Sequence, residues 1–203
     1  MTGESSIERL RLFVAIPVPD AVREKMICVQ NELQPLAPHG AVRWTKPEQF
    51  HLTLRFLGNV ASGRVADLQN SIRAACAGVP ALPLRALGVG FFPSARAPRV
   101  VWIGVNDDDH HLLGLQRKIE GAVKPFTMEA GTEHFAGHLT LGRFKRSRGL
   151  EIRNLASRAK EMEQLTFGEW TAETVELVRS ELSKIGTTHS VLETFPLNQI
   201  EPA

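Results

Sequence analysis

Two stretches of the sequence share a tetrapeptide, and they decide the fold: Phe50-His-Leu-Thr-Leu-Arg-Phe-Leu-Gly58 and Gly137-His-Leu-Thr-Leu-Gly-Arg-Phe144. Polar and apolar residues alternate in each stretch, which predicts a β-strand with one buried face. Successive side chains of a strand point to opposite faces, so His51 shares a face with Thr53, and His138 with Thr140. Chance repetition of a four-residue string is rare in a chain of this length, so the repeat indicates a duplicated site.

The paired residue types favour cleavage of a phosphodiester by general acid–base catalysis. If the two strands face each other across a cleft, two imidazoles and two hydroxyls converge on one small volume. A histidine pKa near 6.5 allows one neutral ring to accept a proton while the other, as imidazolium, donates one. Threonine hydroxyls can hold phosphoryl oxygens. This chemistry needs no metal, and the alternative is two ordinary strands with leucines in the core.

The elements around the tetrapeptides follow the same order twice, which predicts an internal duplication over roughly 11–90 and 100–197. Each half shows strand, helix, strand, helix, strand. The predicted strands cover 12–16, 42–45, 50–58, 82–89, 100–105, 137–144, 174–179 and 191–195. The predicted helices carry apolar stripes at Val22, Met26, Val29 and Leu33; at Val65, Leu68, Ile72 and Cys76; at Leu112, Leu115, Ile119 and Val123; and, over 150–163, at Ile152, Leu155, Ala159 and Met162.

Length and composition predict a single globular domain over 1–203, with 1–10 as a loose tail. The chain has 203 residues, 43% of them hydrophobic and 23% charged, which is an ordinary globular composition. A net charge of +2 is too small to coat a nucleic-acid duplex by charge alone. No apolar run reaches membrane-span length and no signal peptide is evident, so we expect a cytoplasmic protein. We also expect it to be a monomer. Cys28 and Cys76 stand at apolar positions of predicted helices and are expected to be buried free thiols.

Five stretches together resemble the 2H phosphoesterases in order and spacing. They are Arg11-Leu-Phe-Val-Ala-Ile-Pro17, Val42-Arg-Trp-Thr45, the two tetrapeptide stretches, and Ser180-Glu-Leu182. More narrowly, the chain is similar over residues 10–197 to the RNA 2′,3′-cyclic phosphodiesterase branch, originally described as 2′-5′ RNA ligases. The resemblance implies a bilobal α+β fold. Two pseudo-symmetric lobes would each have an antiparallel-rich sheet flanked by helices, and their His-x-Thr strands would face a central cleft.

The resemblance also implies roles for five residues and no cofactor. His51 would be the proton donor and His138 the proton acceptor in opening a 2′,3′-cyclic phosphate at an RNA 3′ end to a 2′-phosphate. Thr53, Thr140 and Arg143 match the family's phosphate-binding residues. Reversible 2′-5′ joining of RNA is an implied side activity. Two alternatives stay open: cleavage of small cyclic nucleotides, and a non-catalytic module that binds RNA ends.

Arg143 poses a geometric problem, because strict alternation puts it on the opposite strand face from His138. The strand must therefore end, bulge or twist near Gly142 for the guanidinium to reach the phosphate.

Three further groups of residues have competing interpretations. Basic residues near the tetrapeptides either contact RNA or form a solvated surface: Arg43, Lys46, Arg55, Arg143, Lys145, Arg146 and Arg148. Trp44, Phe56, Phe91 and Phe92 are expected in the core, with base stacking as the alternative. His134 and His138 have the spacing of a helical zinc pair, but the tetrapeptide predicts a strand, so we expect no metal site. Arg96 and Arg99 flank a proline-containing turn, and their role is open.

Overall fold

The computed structural model describes residues 8–131, 134–145, 152–183 and 186–198, in which nine strands and four α-helices occur. The strands are β1 (Arg9–Pro17), β2 (Val42–Trp44), β3 (His51–Ala61), β4 (Leu82–Phe92), β5 (Val100–Asn106), β6 (His138–Phe144), β7 (Thr166–Ala172), β8 (Thr174–Ser183) and β9 (Gly186–Pro196). The helices are α1 (Asp20–Leu33), α2 (Val65–Cys76), α3 (His111–Val123) and α4 (Arg153–Glu161). No helix within these ranges is long and apolar enough to cross a membrane.

The strands form one sheet in the order β7-β4-β5-β6-β3-β1-β8-β9, with β2 also paired to β6. Neighbouring strands are antiparallel. β3 and β6 meet at the register pair Leu52–Leu139, whereas β1 and β3 pair along their whole length. This seam divides the sheet into a first half-sheet (β3, β1, β8, β9) and a second half-sheet (β6, β5, β4, β7, with β2). The expected α+β fold with two antiparallel halves is confirmed.

The half-sheets do not coincide with the chain halves 11–90 and 100–197. β4 belongs to the first chain half but pairs with β5 and β7, and β8 belongs to the second but pairs with β1. Each chain half therefore contributes strands to the other half-sheet. The exchange runs in both directions, as an internal duplication would require, and the duplication itself stays a prediction.

The core lies between the sheet and the helices, and the predicted apolar stripes face it. Fifteen of the sixteen stripe residues are buried; Val65 is half-buried. The prediction for Cys28 is wrong, because this thiol is exposed while Cys76 is buried. Cys28 lies two positions after Met26, which turns it about 200° around the helix and away from the buried stripe.

Several element boundaries differ from the sequence prediction. β1 begins at Arg9, three residues before the predicted start, and the edge strand β7 was not predicted. α4 covers Arg153–Glu161 within the predicted 150–163. Residues 1–7 of the predicted tail, and 150–151 of that predicted helix, lie outside the described residues.

Arg55 is a structural residue of the core and not part of an RNA-binding surface. Its side chain is 5% exposed, and its Nε forms an ion pair with Oε2 of Glu120 at 2.8 Å. The guanidinium also donates to the carbonyl oxygens of Ala130 (2.9 Å) and Glu129 (2.6 Å). Neither of the two interpretations considered, RNA contact or solvated surface, holds for Arg55, because these bonds tie β3 to α3 and to the segment that follows it.

Removal of this buried guanidinium should destabilise the protein strongly. Arg55→Ala leaves the Glu120 carboxylate and two carbonyls without their cation, a loss of about 3–5 kcal/mol in the free energy of unfolding. Denaturant titration followed by circular dichroism measures it. The matched control is Arg43→Ala at an exposed position, expected within about 0.5 kcal/mol of wild type. Equal stability of the two variants would contradict the assignment.

Candidate active site

The two tetrapeptides meet at the seam between the half-sheets. Leu52 and Leu139 pair there and are fully buried, whereas the histidines and threonines on either side are half-buried. Antiparallel register around this pair sets His51 across from Thr140, and His138 across from Thr53. The predicted alternation is confirmed, and both imidazoles and both hydroxyls lie on the sheet face away from the leucine core. We call this surface the cleft face.

Each imidazole is held by a backbone carbonyl two residues before it. Nδ1 of His51 lies 2.8 Å from the Gln49 carbonyl oxygen, and Nδ1 of His138 lies 2.8 Å from that of Ala136. A carbonyl only accepts, so Nδ1 carries the proton in both rings. Nε2 is therefore the atom of each ring left to exchange a proton with a substrate.

A β-bulge in β6 brings Arg143 to the cleft face. Thr140 pairs with Trp102 and Gly142 pairs with Val101, so Leu141 is the extra residue. Leu141 and Gly142 are consecutive buried positions, after which Arg143 is exposed. The strand was expected to end, bulge or twist near Gly142, and it bulges: the extra residue reverses the alternation and returns Arg143 to the side of His138.

Gln30 of α1 holds this bulge from the core side. Its Nε2 donates to the carbonyl oxygens of Leu141 (2.7 Å) and Thr45 (2.8 Å), and the Thr45 amide also donates to Leu141 (2.9 Å). Gln30 is only 4% exposed. Gly142 permits the close approach of β2, since a Cβ there would lie 2.7 Å from Cγ1 of Val42. Sequence reasoning missed Gln30, although its place next to Val29 on the buried stripe was the available signal.

The same bulge occurs in β3 with a different result. Thr53 pairs with Ala15 and Arg55 with Val14, so Leu54 is the extra residue. Phe56, five residues after His51, consequently reaches the cleft face, where Arg143 stands five residues after His138. Phe56 is 45% exposed, so the expectation that it lies in the core is wrong. One half-sheet thus presents an aromatic ring where the other presents a guanidinium.

Burial and neighbouring basic groups disfavour the charged form of both imidazoles. Burial lowers the pKa of His51 from 6.5 to about 4, against the opposing hydrogen bond to Gln49, and nearby His189, Arg143 and His138 lower it further. Burial and Arg143 also lower the pKa of His138. Partial loss of hydration, together with Arg43, lowers the pKa of Arg143 even though much of its side chain meets water. The mutual effects on these pKa values indicate that His51, His138 and Arg143 lie close enough to interact electrostatically.

An aromatic groove adjoins His138 on the second half-sheet. The ring of Phe92 packs edge-on against His138 at 4.9 Å between centroids and also contacts Trp102. These rings line a groove of about 780 Å³, together with the Ala136–Gly137 backbone. Phe92 thus lies at the cleft, against expectation. Trp44 and Phe91, also expected in the core, are half-buried and pack against it.

His189 is a third histidine of the site and was not predicted. Its ring lies 5.5 Å from that of His51 in a T-shaped arrangement, and 5.0 Å from the ring of Phe13. Burial lowers the pKa of His189. An isolated histidine in a polar strand gives no sequence signal, and the contact depends on how far β9 curls towards β3.

The remaining basic residues are divided between the cleft rim and other surfaces. Arg43 of β2 pairs with Arg143 of β6, so two guanidinium groups stand side by side. The Arg99 carbonyl accepts from the Phe144 amide, which places that residue beside the same strand. Other exposed residues are Lys46, Arg96 and Lys145, and two of the predicted cluster lie outside the described residues: Arg146 and Arg148.

His134 does not form the helical pair considered from its spacing with His138. It is exposed in a bend, four residues before β6 begins at His138. Within the described ranges, no group of three or more His, Cys, Asp or Glu side chains is arranged to hold a metal ion.

Two His-x-Thr strands that meet on one face of a curled α+β sheet define the 2H class of phosphoesterases. A family model described as LigT-like phosphoesterase matches residues 16–102. The chain is 31% identical to an RNA 2′,3′-cyclic phosphodiesterase of Archaeoglobus fulgidus, over 92% of this chain and 99% of that protein. It is 29% identical to one of Methanothermobacter thermautotrophicus, over 93% of this chain and 100% of that protein. The chain belongs to the LigT-like phosphoesterases, a family of enzymes.

A solved structure has the same fold. A crystal structure of a Thermus thermophilus protein matches with a TM-score of 0.75 and 27% sequence identity, over 94% of this chain and 99% of that one. The two chains therefore share a fold along nearly their full length.

Loss of the Gln30 amide should weaken the fold and loosen the bulge that brings Arg143 to the cleft face. Gln30→Met keeps the side-chain length but leaves the Thr45 carbonyl unpaired, which should lower the free energy of unfolding by about 1–3 kcal/mol. Because the bulge is then less well held, binding of inorganic phosphate, measured by calorimetry, should also weaken. Asn31→Met, at the adjacent exposed position, is the control. Unchanged stability and phosphate binding in Gln30→Met would exclude this role.

Proposed function

We propose that the protein hydrolyses the 2′,3′-cyclic phosphate at RNA 3′ ends to a 2′-phosphate by metal-independent catalysis with two histidines. The observation that carries this proposal is the pair of imidazoles on one face, each with Nδ1 donating to a carbonyl, which leaves Nε2 to exchange a proton. The relatives named RNA 2′,3′-cyclic phosphodiesterase support the substrate class.

The reaction uses one imidazole on each side of the phosphorus atom. Nε2 of neutral His138 takes a proton from water as the water oxygen attacks phosphorus. The P–O3′ bond breaks, and Nε2–H of protonated His51 gives its proton to O3′. The 2′-oxygen keeps the phosphate, so the product carries a 2′-phosphate and a 3′-hydroxyl. If an RNA 5′-hydroxyl replaces water as the nucleophile, the same cleavage of the P–O3′ bond joins the two RNA ends through a 2′-5′ phosphodiester, and the reverse reaction would re-form the cyclic phosphate.

The other residues of the cleft face hold the substrate. Thr53 and Thr140 donate hydrogen bonds to the non-bridging phosphoryl oxygens, and Arg143 offers a planar fork that stays charged. Arg43 beside it adds positive charge where the RNA backbone approaches. Exposed Phe56 offers a stacking surface for a base. These contacts favour an oligonucleotide over a cyclic mononucleotide, which is the alternative substrate.

The product of a single oligonucleotide identifies the activity and its direction. An RNA oligonucleotide ending in a 2′,3′-cyclic phosphate should yield the 2′-phosphate, separated from the 3′-phosphate by chromatography against synthetic standards. His51→Ala and His138→Ala should each lose about 10²–10⁴ in rate while remaining folded, and His134→Ala should match wild type. A 3′-phosphate product, or full activity in either cleft variant, would contradict the mechanism. Binding of the end without turnover in wild type would support the binding-module alternative.

The same assay separates the roles of the two histidines when O3′ is replaced by sulfur. A thiolate leaves without protonation, so His51→Ala should recover most of its activity on this substrate while His138→Ala should not. Rescue of His138→Ala instead would exchange the two roles. EDTA should leave the wild-type rate unchanged. Loss of activity in EDTA that added zinc restores would instead support a metal-dependent mechanism.

The pH dependence follows from the lowered histidine pKa values. In the free enzyme, burial holds the pKa of His51 at about 4 and lowers that of His138. Because one ring must be charged and the other neutral, kcat/KM should follow a bell with both limbs below about pH 6.5. A further rise in pH removes the remaining proton and lowers the rate. The kcat profile should lie at higher pH, because the bound phosphodiester anion favours imidazolium. A kcat/KM maximum above about pH 7 would contradict this.

A further inference from the structure

The start of β9 contacts both His51 and the residue that hydrogen-bonds to it. Nε2 of Gln49 donates to the Thr187 carbonyl. The Gln49 carbonyl in turn accepts from Nδ1 of His51 at 2.8 Å. Two residues after Thr187, the His189 ring meets the His51 ring at 67° between planes, with 5.5 Å between centroids. Segments 49–51 and 187–189 therefore contact each other twice, once through the Gln49 amide and once through the rings.

Phe13 closes the third side of this arrangement. Its ring is 4.7 Å from His51 and 5.0 Å from His189 between centroids, and only 2% of the residue is exposed. Both histidine rings thus rest on one fixed aromatic surface. Rotation of the His51 ring would break the Nδ1 hydrogen bond and both ring contacts.

The ring of His138 has different neighbours, so the contact with an ionisable ring distinguishes His51 from His138. Its Nδ1 carbonyl comes from Ala136, and its ring contact comes from Phe92, which has no ionisable group. The charged or titratable groups that face His51 are His189 from β9, and His138 and Arg143 from β6. An ionisable ring against His51 therefore influences its protonation as well as its orientation.

We propose that His189 and Gln49 are positioning residues for His51. Gln49 fixes the carbonyl that keeps the proton on Nδ1, so that Nε2 faces the phosphate. His189 prevents rotation of the ring and, when charged, opposes the imidazolium of His51. The link to catalysis rests on the proposed function, whereas the effect on His51 itself can be measured without substrate.

NMR titration of the ¹⁵N-histidine-labelled 203-residue protein tests the proposal directly, with His51 assigned from the spectrum of His51→Ala. His189→Phe keeps the ring contact but removes the charge, so the pKa of His51 should rise. Gln49→Met loses the donor to Thr187 and loosens the Nδ1 hydrogen bond, which supports the charged form, so the pKa of His51 should fall. His39→Ala, at an exposed loop position, should leave the titration unchanged. A general loosening of the fold would not shift the pKa of His51 in opposite directions in these two variants.

Kinetics supply the second readout. Gln49→Met and His189→Ala should each lower kcat by about tenfold with little change in KM, and His189→Phe should restore most of the loss. An unchanged His51 titration in both His189→Phe and Gln49→Met, or shifts in the same direction, would overturn the proposal. If wild-type protein fails to open cyclic phosphates, the proposed function fails, but opposite titration shifts would still establish the positioning of His51.

Discussion

The pairing of Leu52 with Leu139 is the constraint on which the site depends. Both side chains are fully buried, and their backbones join the two half-sheets. A slip of one residue in either strand would turn its leucine to the cleft face and its histidine into the core. The free energy gained by burying both leucines strongly disfavours such a slip. The apolar half of each tetrapeptide therefore sets the place of the polar half. His51 and His138 lie on the same face because the neighbouring Leu52 and Leu139 are buried in the core.

The paired bulges turn this symmetric framework into an asymmetric site. In each strand the extra residue follows the threonine, so the fifth position after the histidine returns to the cleft face. That position is Phe56 in one half and Arg143 in the other. The fourth position differs as well, since Arg55 is buried against Glu120 while Gly142 admits β2. A nucleotide is asymmetric in the same way, with a base on one side and a phosphate on the other.

Sequence alone predicted those parts of the molecule that periodicity or spacing determines. The leucine and histidine alternation, the apolar stripes and the need for an end, bulge or twist near Gly142 all follow from the geometry of single strands and helices. Long-range pairing is not encoded in this way, so the exchange of β4 and β8 between half-sheets could not be seen. Isolated polar residues were missed or misassigned for the same reason: Gln30, Arg55 and His189 acquire their partners from distant elements. β7 was not predicted because its sequence is partly polar and contains a glycine, which is typical of a loop. In the structure, Gly168 has a φ of +139° within this edge strand.

The electrostatics of the cleft face connect binding to proton transfer. Burial, Arg143 and neighbouring imidazoles all oppose a charge on His51, so in the proposed mechanism the free site holds weakly the proton that His51 would donate. A phosphodiester anion between the rings reverses each of these effects except burial, because its charge attracts both the guanidinium and an imidazolium. Thermodynamic linkage then requires that anion binding and proton uptake strengthen each other. Under the proposed mechanism, the features that lower the histidine pKa values thus make the acidic form of His51 depend on the presence of a phosphate.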